Sequence, residues 1–384
     1  MHISVYKLYL LGFLKELTVS SAILLPFYFS LSITEGQVFI LLAIYQISIL
    51  LAEIPTGLIA SRFGEKVSII AGLFIGAIFF FILPFITEFI FAVFLQILSA
   101  ISVAFLSWSI PSFMNDLCKD AEKDFTEIRS KYKIITMTTG VLATIIWGFL
   151  LYLWYTYIFW LQSGFLLLAI VVISTINSNL QHKFTEFKFF SILKRSYRIV
   201  QEKEVFIPAI FIFSFLAVEA AVYAAFQSEY INNLAFNPEY LGIFLSIFLL
   251  FSIGFTHFLA RKKWVLNQSF LLLIGCIFIV VSYAHLIFWS IYSLLFLYFT
   301  QIIRPMDIPL ESLIFKKIDD NIWSTVLSLM SFFERFMFLI IVWFMNIFSL
   351  SAMQTIFSFS LVIIAIYIAI IISKNMTYIF KYND

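Results

Sequence analysis

The sequence predicts an all-α polytopic membrane protein with twelve membrane-spanning helices. Only 12% of its 384 residues are charged and 62% are hydrophobic, whereas soluble globular proteins carry about 25% charged residues. The apolar residues also come in blocks of roughly 20, the length that crosses the hydrocarbon core as a helix. This pattern outweighs the two or three soluble domains that chain length alone would suggest.

Apolar blocks define the predicted spans. The first block continues through Lys15 and Glu16, well past the short apolar core of a signal peptide, so we expect it to be retained as a helix. The spans are predicted at residues 8–32, 36–60, 67–86, 89–113, 132–154, 157–178, 206–230, 239–260, 265–285, 288–313, 323–347 and 350–373.

Lysine and arginine indicate the orientation, because they stay on the cytoplasmic side of a membrane. They concentrate in alternate connections between the predicted spans, including residues 61–66, 119–133 and 261–263, and the intervening connections carry none. The sequence therefore predicts a multi-pass protein of the cell membrane with both termini in the cytoplasm.

The longest polar stretch divides the predicted helices six and six. Residues 179–205 mix basic and bulky apolar side chains, which favours a cytoplasmic linker lying on the membrane surface. We expect an N-terminal six-helix bundle at residues 1–178, and a C-terminal six-helix bundle with a short cytoplasmic tail at residues 206–384.

Composition and motifs argue against several classes of function. A net charge of +2 gives no basis for nucleic-acid binding. Cys118 and Cys276 lie far apart without metal-site spacing, and the four histidines are scattered. The sequence contains neither a GxxxxGK[ST] loop nor an HExxH motif. We expect no cofactor, no metal and no enzyme activity.

The stretch GLIASRFGEK, residues 57–66, lies between the second and third predicted spans. Its Gly, Arg, Gly and Lys resemble the signature loop of the major facilitator superfamily, which implies that superfamily's fold of two six-helix bundles. The resemblance implies that Gly57 lets helices pack closely and that Gly64 permits a tight turn. It also implies that Arg62 and Lys66 hold the loop on the cytoplasmic side.

The same stretch departs from the family pattern at two positions. The family has an acid where this chain has Ser61, and a basic residue where it has Glu65. Two further segments, SWSIPSFMND at residues 107–116 and the region 304–336, resemble the drug-efflux-like members of the superfamily. The resemblance therefore implies a transporter of that subgroup.

Charged residues inside predicted spans mark the candidate site, because each costs about 2.5–3.5 kcal/mol at a helix centre and must face a cavity or a partner. Arg304, Asp307 and Glu311 lie at i, i+3 and i+7, on one face of the tenth span. Pro305 and Pro309 should kink that helix. We expect this face to be a substrate or proton site or, alternatively, to contain Arg304 and Asp307 as a self-neutralising pair.

The seventh span carries a polar stripe of Glu219, Tyr223 and Gln227, with no basic residue near it in sequence. An acid in this setting can bind and release a proton as its exposure alternates. The alternative is that Arg304 or Lys15 neutralises Glu219 permanently.

Neighbouring positions on the first span complete the candidates. Lys15 and Glu16 lie about 100° apart on a helix, so we expect one to face the cavity and the other a neighbouring helix. The proton-coupling candidates are Glu219, Asp307, Glu16 and Glu334. The substrate-binding candidates are Arg304, Tyr223, Gln227, Trp108 and Arg335.

These patterns predict a secondary active transporter that works by alternating access as a monomer in the lipid bilayer. Its expected partners are protons and a small-molecule or peptide-like substrate, and the favoured activity is export of a drug, antibiotic or peptide-like toxin. Proton-coupled uptake of a nutrient or metabolite is the alternative within this class. A polytopic membrane enzyme or sensor is the alternative outside it.

Overall fold

The computed structural model describes most of the chain, and the described part is helical. It covers residues 2–17, 21–120, 122–150, 155–176, 194, 206–220, 238–259, 267–288, 298–317, 323–348 and 358–368. These residues contain no strand, which confirms the predicted all-α fold. The predicted linker at residues 179–205 lies outside them, apart from residue 194.

The first half of the chain contains helices α1 to α8. Their bounds are α1 His2–Glu16, α2 Ser21–Ser30, α3 Glu35–Phe63, α4 Glu65–Ile82, α5 Phe89–Ser107, α6 Ser109–Asp120, α7 Phe125–Leu150 and α8 Tyr155–Ser174. A short 3₁₀ turn, Leu83–Phe85, follows α4.

The second half contains the described helices α9 to α14. Their bounds are α9 Phe206–Ala220, α10 Pro238–Leu259, α11 Gln268–Phe288, α12 Asp307–Lys317, α13 Trp323–Phe348 and α14 Ser358–Ile368. A 3₁₀ segment, Tyr298–Met306, leads directly into α12.

Four stretches of the described residues are long and apolar enough to cross a membrane. They are Ile40–Phe63, Glu65–Phe85, Phe89–Lys119 and Tyr155–Ser174. Large apolar side chains on these helices, such as Phe74, Phe94 and Leu168, are exposed. Extensive exposed apolar surface of this kind fits a lipid environment.

Helix α3 has a defined beginning and end. At its start, Gln37 N–H donates to Thr34 Oγ1 (3.3 Å) and Thr34 N–H donates to Gln37 Oε1 (2.9 Å), which together form a capping box. At its end Gly64 has φ 95°, a conformation that side chains with a Cβ rarely adopt. The chain therefore turns within one residue, and α4 begins at Glu65.

Two predicted spans are divided into separate helices. The span at 8–32 contains α1 and α2. The span at 89–113 is divided at Trp108, and α6 carries Pro111 in its first turn, where the missing proline N–H breaks no helical hydrogen bond. Hydropathy locates such spans but does not register a local break in the helix.

Helix α7 begins at Phe125 instead of residue 132, so the predicted start was too late. Thr126 N–H donates to the side chain of Asp124 (3.0 Å), which satisfies one of the open donors at the helix start. The added turns are polar and carry Arg129, and Lys133 follows one turn later, just inside the predicted edge of the membrane span. As a result, these two bases lie on a helix that continues into the apolar region.

The two halves pack along two lines, α3 against α13 and α7 against α10. The end of α3 contacts the start of α13, and the start of α7 contacts the end of α12. These four helix ends lie at one end of the molecule. We call this the basic end, since Lys66, Arg129 and Lys316 lie there. It corresponds to the side that the sequence predicts to be cytoplasmic.

Candidate transport cavity and the contacts between the halves

A cavity of about 370 Å³ lies between the two halves, immediately beyond the basic end. Its wall is formed mainly by α1, α5, α6 and α7, with Leu249 and Arg304 contributed by the second half. The lining side chains that carry polar or charged groups are Lys15, Glu16, Ser107, Arg129, Tyr132, Lys133, Thr136 and Arg304. The cavity therefore brings charged groups together among apolar side chains.

Two ion pairs join α7 to α12 on the basic side of the cavity. Arg129 binds both carboxylate oxygens of Glu311, with Nε–Oε2 at 2.8 Å and Nη2–Oε1 at 2.9 Å. Lys133 Nζ lies 2.5 and 2.6 Å from the oxygens of Asp307 and also donates to the Arg304 carbonyl (2.7 Å). Each pair has its base in the first half and its acid in the second.

The two pairs fit one another geometrically. Arg129 and Lys133 are four residues apart on α7, and Asp307 and Glu311 are four residues apart on α12, so each pair of like charges lies on one helix face. Because the helices run in opposite directions, the first base meets the second acid and the second base meets the first acid. Bidentate Arg–carboxylate geometry is among the strongest of such contacts.

The structure gives Asp307 a partner different from the predicted one. The sequence suggested that Arg304 neutralises Asp307, but Asp307 forms an ion pair with Lys133. Arg304 Nη2 instead donates to Glu219 Oε1 (3.0 Å), and Gln301 Nε2 donates to the same oxygen (2.6 Å). Glu219 is thus neutralised by Arg304, the alternative that the sequence left open.

Lys15 and Glu16 also differ from the expectation that they face different surroundings. They form an ion pair with one another, and both line the cavity. Helix α1 ends at Glu16, and both side chains are long enough to converge although their Cα atoms are about 100° apart on the helix.

The α3–α13 contact carries three polar pairs, and we call it the α3–α13 seam. Gln46 Oε1 accepts from Arg335 Nη1 (3.2 Å), and Glu53 Oε1 accepts from Ser331 Oγ (2.8 Å). At the basic end, nearest the loop, Ser61 and Thr325 share a hydrogen bond of 3.1 Å. In all three pairs one partner comes from each half.

Further contacts join the halves at both ends. At the basic end, Thr126 donates to Ser312 (3.3 Å), and the rings of Phe125 and Phe315 pack edge to face at 4.8 Å. At the opposite end of the α7–α10 contact, Thr144 and Ser246 share a hydrogen bond of 2.6 Å. Trp108, a predicted substrate residue, packs edge to face against Phe213 of α9 at 6.3 Å.

The loop at residues 61–66 is held by contacts with its own half. Lys66 Nζ donates to the carbonyls of Ser174 and Ile176 at the end of α8 (2.9 and 2.8 Å). The C-terminal end of a helix attracts a cation. Glu65 is buried and accepts from Ser112 of α6 (3.0 Å). Gly57 is buried within α3 and Arg62 is exposed.

Three further predicted residues remain, and the structure describes one of them. Glu334 is half-buried on α13, one residue before Arg335. Tyr223 and Gln227 lie outside the described residues. Sequence analysis did not select Arg129 and Lys133, although their i, i+4 spacing matches that of Asp307 and Glu311. Glu53 lies inside the second predicted span, but nothing in the sequence distinguished it as a proton site.

The all-helical fold and the cavity with charged residues between its halves are those of a polytopic membrane transporter. A family model of the Major Facilitator Superfamily matches residues 8–333, and the chain belongs to this superfamily. It is therefore a multi-pass membrane protein. No curated protein sequence matches the chain.

Solved structures of the same fold match nearly the whole chain. The nucleoside transporter NupG is 13% identical, with a TM-score of 0.64 over 96% of this chain and 99% of that chain. The human organic anion transporter MFSD10 (TETRAN) is 13% identical, with a TM-score of 0.70 over 96% and 98%. The E. coli fucose:proton symporter FucP is 13% identical, with a TM-score of 0.68 over 95% and 97%. At this identity the likeness concerns the fold alone.

Proposed function

We propose that this protein is a proton-coupled secondary transporter of a small organic solute that carries an anionic or strongly hydrogen-bond-accepting group. The observation that carries the proposal is the cavity between the halves, closed on its basic side by ion pairs that each half shares with the other. Alternating access requires those pairs to separate and re-form in every cycle.

The charge of the cavity wall favours an anionic solute. Among the lining residues, Lys15, Arg129, Lys133 and Arg304 are cationic and Glu16 alone is acidic. The hydroxyl of Tyr132 also lines the cavity and has no hydrogen-bond partner among the described residues. A carboxylate or phosphate in the cavity could accept from several of these donors.

Substrate binding and opening are connected by the same side chains. Arg129 and Lys133 line the cavity while they hold Glu311 and Asp307 of the other half. A bound anion would compete with those carboxylates for the same N–H donors. Binding would thereby weaken the contact that closes the basic end, which is the differential interaction that a conformational change requires.

The cavity volume favours a small solute. About 370 Å³ lies near the lower limit of small-molecule pockets, roughly 300–1,000 Å³. This size fits a small drug or antibiotic better than a peptide-like toxin. The names of NupG, MFSD10 and FucP describe transporters of nucleosides, organic anions and fucose, which are polar solutes of comparable size. We propose export as the direction, because of the resemblance to efflux-like members.

Flux measurements in proteoliposomes test this proposal. The purified chain would be reconstituted and supplied with p-aminohippurate as the organic anion, uridine as the neutral solute and ethidium as the cation, with an imposed pH gradient. We expect anion flux that depends on the gradient and stops when a protonophore is added. Preferred flux of ethidium would contradict the proposed substrate class, and flux of all three without response to the gradient would contradict proton coupling.

A pair of matched variants tests whether that flux passes through the cavity. Thr136 lines the cavity, whereas Thr138, two residues away on α7, is exposed. Thr136→Leu fills part of the cavity and should reduce anion flux strongly, and Thr138→Leu should leave it near the original rate. Equal flux in the two variants would place the transport path elsewhere. Gradient-driven uptake in the inward direction would favour the nutrient-uptake alternative over export.

A further inference from the structure

The α3–α13 seam contains an acid whose contacts with the other half involve no base. The Glu53 side chain is fully buried, with 0% exposure. Its Oε1 accepts from Ser331 Oγ of α13 at 2.8 Å, and Ser107 Oγ of α5 lies 3.4 Å from both carboxylate oxygens. Across the described ranges, no ion pair involves Glu53.

Three other acids near the contacts between the halves have basic partners. Asp307, Glu311 and Glu219 each have a basic partner. Glu334 is half-buried. Glu53 is thus the one described acid that is completely removed from solvent and bonded across the seam through hydroxyl groups. A hydroxyl supplies a hydrogen bond but no compensating charge, so an ionised carboxylate is poorly stabilised there.

Two charged groups of opposite sign face Glu53. They are Glu334 and Arg335, adjacent on α13 and opposite in sign, and α5 contributes Ser107. Arg335 directs a donor to Gln46 instead (3.2 Å). Because Glu334 and Arg335 offset one another, the seam as a whole holds one more negative charge than positive when every acid in it is ionised.

The oxygen atoms around Glu53 are placed to fit a protonated carboxyl group. Oε1 can accept the Ser331 hydrogen while Oε2–H points to Ser107 Oγ. The Ser107 hydroxyl donates to the Ala104 carbonyl (3.2 Å), which leaves its oxygen able to accept. Each of the three hydroxyl-type hydrogens then has an acceptor.

We propose that Glu53 binds the proton that closes the α3–α13 seam. With the proton bound, the seam packs as it does in this structure. When the halves separate at the basic end, the Ser61–Thr325 and Glu53–Ser331 contacts break and water reaches Glu53, which then releases its proton. The seam re-forms after Glu53 binds a proton again.

This inference rests on the proposed alternating-access function and specifies which residue links protons to the movement. One proton bound and released per opening connects the protonation state to the position of the halves. The ion pairs of α7 and α12 then serve to close the cavity and to respond to the solute.

Distances across the basic end test the proposal without any substrate. Lys131 on α7 and Lys316 on α12 are both exposed and lie in opposite halves. Nitroxide labels at Lys131→Cys and Lys316→Cys, in a chain with Cys118→Ala and Cys276→Ser, would report opening of the full-length protein in nanodiscs by pulsed electron paramagnetic resonance. The distance distribution would be measured from acidic to alkaline pH.

The expected result has a definite sign. At low pH Glu53 is protonated and the short distance should dominate; as the pH rises, Glu53 ionises and the long distance should become populated. In Glu53→Gln, which keeps the hydrogen-bonding shape but cannot ionise, the short distance should persist at every pH. Ser331→Ala removes the donor across the seam and should populate the long distance even at low pH.

Glu65→Gln is the matched control. Glu65 is also buried on a neighbouring segment and also accepts from a serine, but its Ser112 partner belongs to the same half. This variant should keep the pH response of the unmodified chain. The proposal is overturned if the unmodified chain shows no pH response, or if Glu53→Gln shows the same pH response as the unmodified chain. It is equally overturned if Glu334→Gln, but not Glu53→Gln, removes the response.

These outcomes are distinguishable from failure of the transport proposal. The label distances involve no solute, so a loss of pH response in Glu53→Gln supports the seam assignment even if none of the tested solutes is transported. Conversely, a pH gradient could drive anion transport in a chain whose label distances do not change with pH. That result would support transport and contradict the role of Glu53.

Discussion

The α7–α12 contact and the α3–α13 seam both join the two halves, but they contain charge in different ways. At α7–α12 each acid meets a base from the other half, Arg129 with Glu311 and Lys133 with Asp307. At the α3–α13 seam the buried acid Glu53 meets hydroxyl groups. The first contact is neutral because its charges are paired, and the second is neutral only when a proton is bound.

This difference predicts different responses to conditions. Paired charges that separate into water lose their attraction but regain hydration, so the net stability of such a contact is a small difference between large terms. A solute anion can shift that balance by replacing one partner. A lone acid responds to pH instead. The proposal therefore assigns the response to solute to the α7–α12 contact and the response to protons to the α3–α13 seam.

The largest effect is expected from Arg129→Met. This change leaves Glu311, whose side chain is 2% exposed, buried without its partner, which costs about 3–5 kcal/mol. Thermal unfolding in detergent should show a large loss of stability, and the label distance across the basic end should lengthen. The reversed pair Arg129→Glu with Glu311→Arg should recover part of both.

Lys131→Met is the control for that experiment. Lys131 pairs with Glu127 on the same helix, but the two side chains are 50% and 49% exposed, and pairs of this kind contribute about 0.3–0.5 kcal/mol. If Lys131→Met destabilised the protein as much as Arg129→Met, burial would not be what separates the two pairs.

Lys133→Met should have a smaller effect than Arg129→Met. Asp307 is 17% exposed, so water can partly replace the lost ammonium group, and we expect a loss of about 1.5–3 kcal/mol. A double-mutant cycle with Asp307→Asn isolates the pairwise contribution. A coupling energy near zero would show that Lys133 acts mainly through the Arg304 carbonyl, to which it also donates.

Thr144→Val removes the hydrogen bond to Ser246 at the end away from the basic end. Interhelical hydrogen bonds of this type average about 0.6 kcal/mol in membrane proteins. Because the contact closes the opposite end, its loss should increase the population with a closed basic end. The label distances across the basic end should therefore shorten slightly, and lengthening would contradict this assignment of the two ends.

Ser61→Ala should give the smallest effect, and its sign should be opposite. Ser61 is partly exposed and bonds to Thr325 at the basic end, so water can take the place of the lost hydroxyl and the loss should be below about 0.6 kcal/mol. The distance across the basic end should lengthen slightly. Shifts in the same direction for Ser61→Ala and Thr144→Val would contradict the assignment of these two contacts to opposite ends.

Much of the fold could be predicted because hydropathy reports helix position directly. The second span was placed at 36–60 and α3 runs from Glu35 to Phe63; the eighth was placed at 239–260 and α10 runs from Pro238 to Leu259. The break at Trp108 could not be predicted, because it depends on local packing and leaves the average hydropathy unchanged.

The candidate site was predictable only in part. The face of Arg304, Asp307 and Glu311 followed from helical spacing, but the partner of each charge depends on which helix lies opposite. Arg129 and Lys133 were assigned to a connection because hydropathy ends where polar turns begin. Their capped helix start and their spacing were the available signal.

The 3₁₀ segment Tyr298–Met306 is longer than the same residues would be as an α-helix. Runs longer than three or four residues are uncommon, and each residue rises about 2.0 Å instead of the 1.5 Å of an α-helix. Rewinding these nine residues as an α-helix would shorten the segment by about 4.5 Å, close to one helical turn. A distance between labels at the exposed positions Phe299 and Lys316 would report it directly. With α12 in place, Arg304, three residues before it, would move by about 1.5 Å toward α12, and the start of the segment at Tyr298 would move the most.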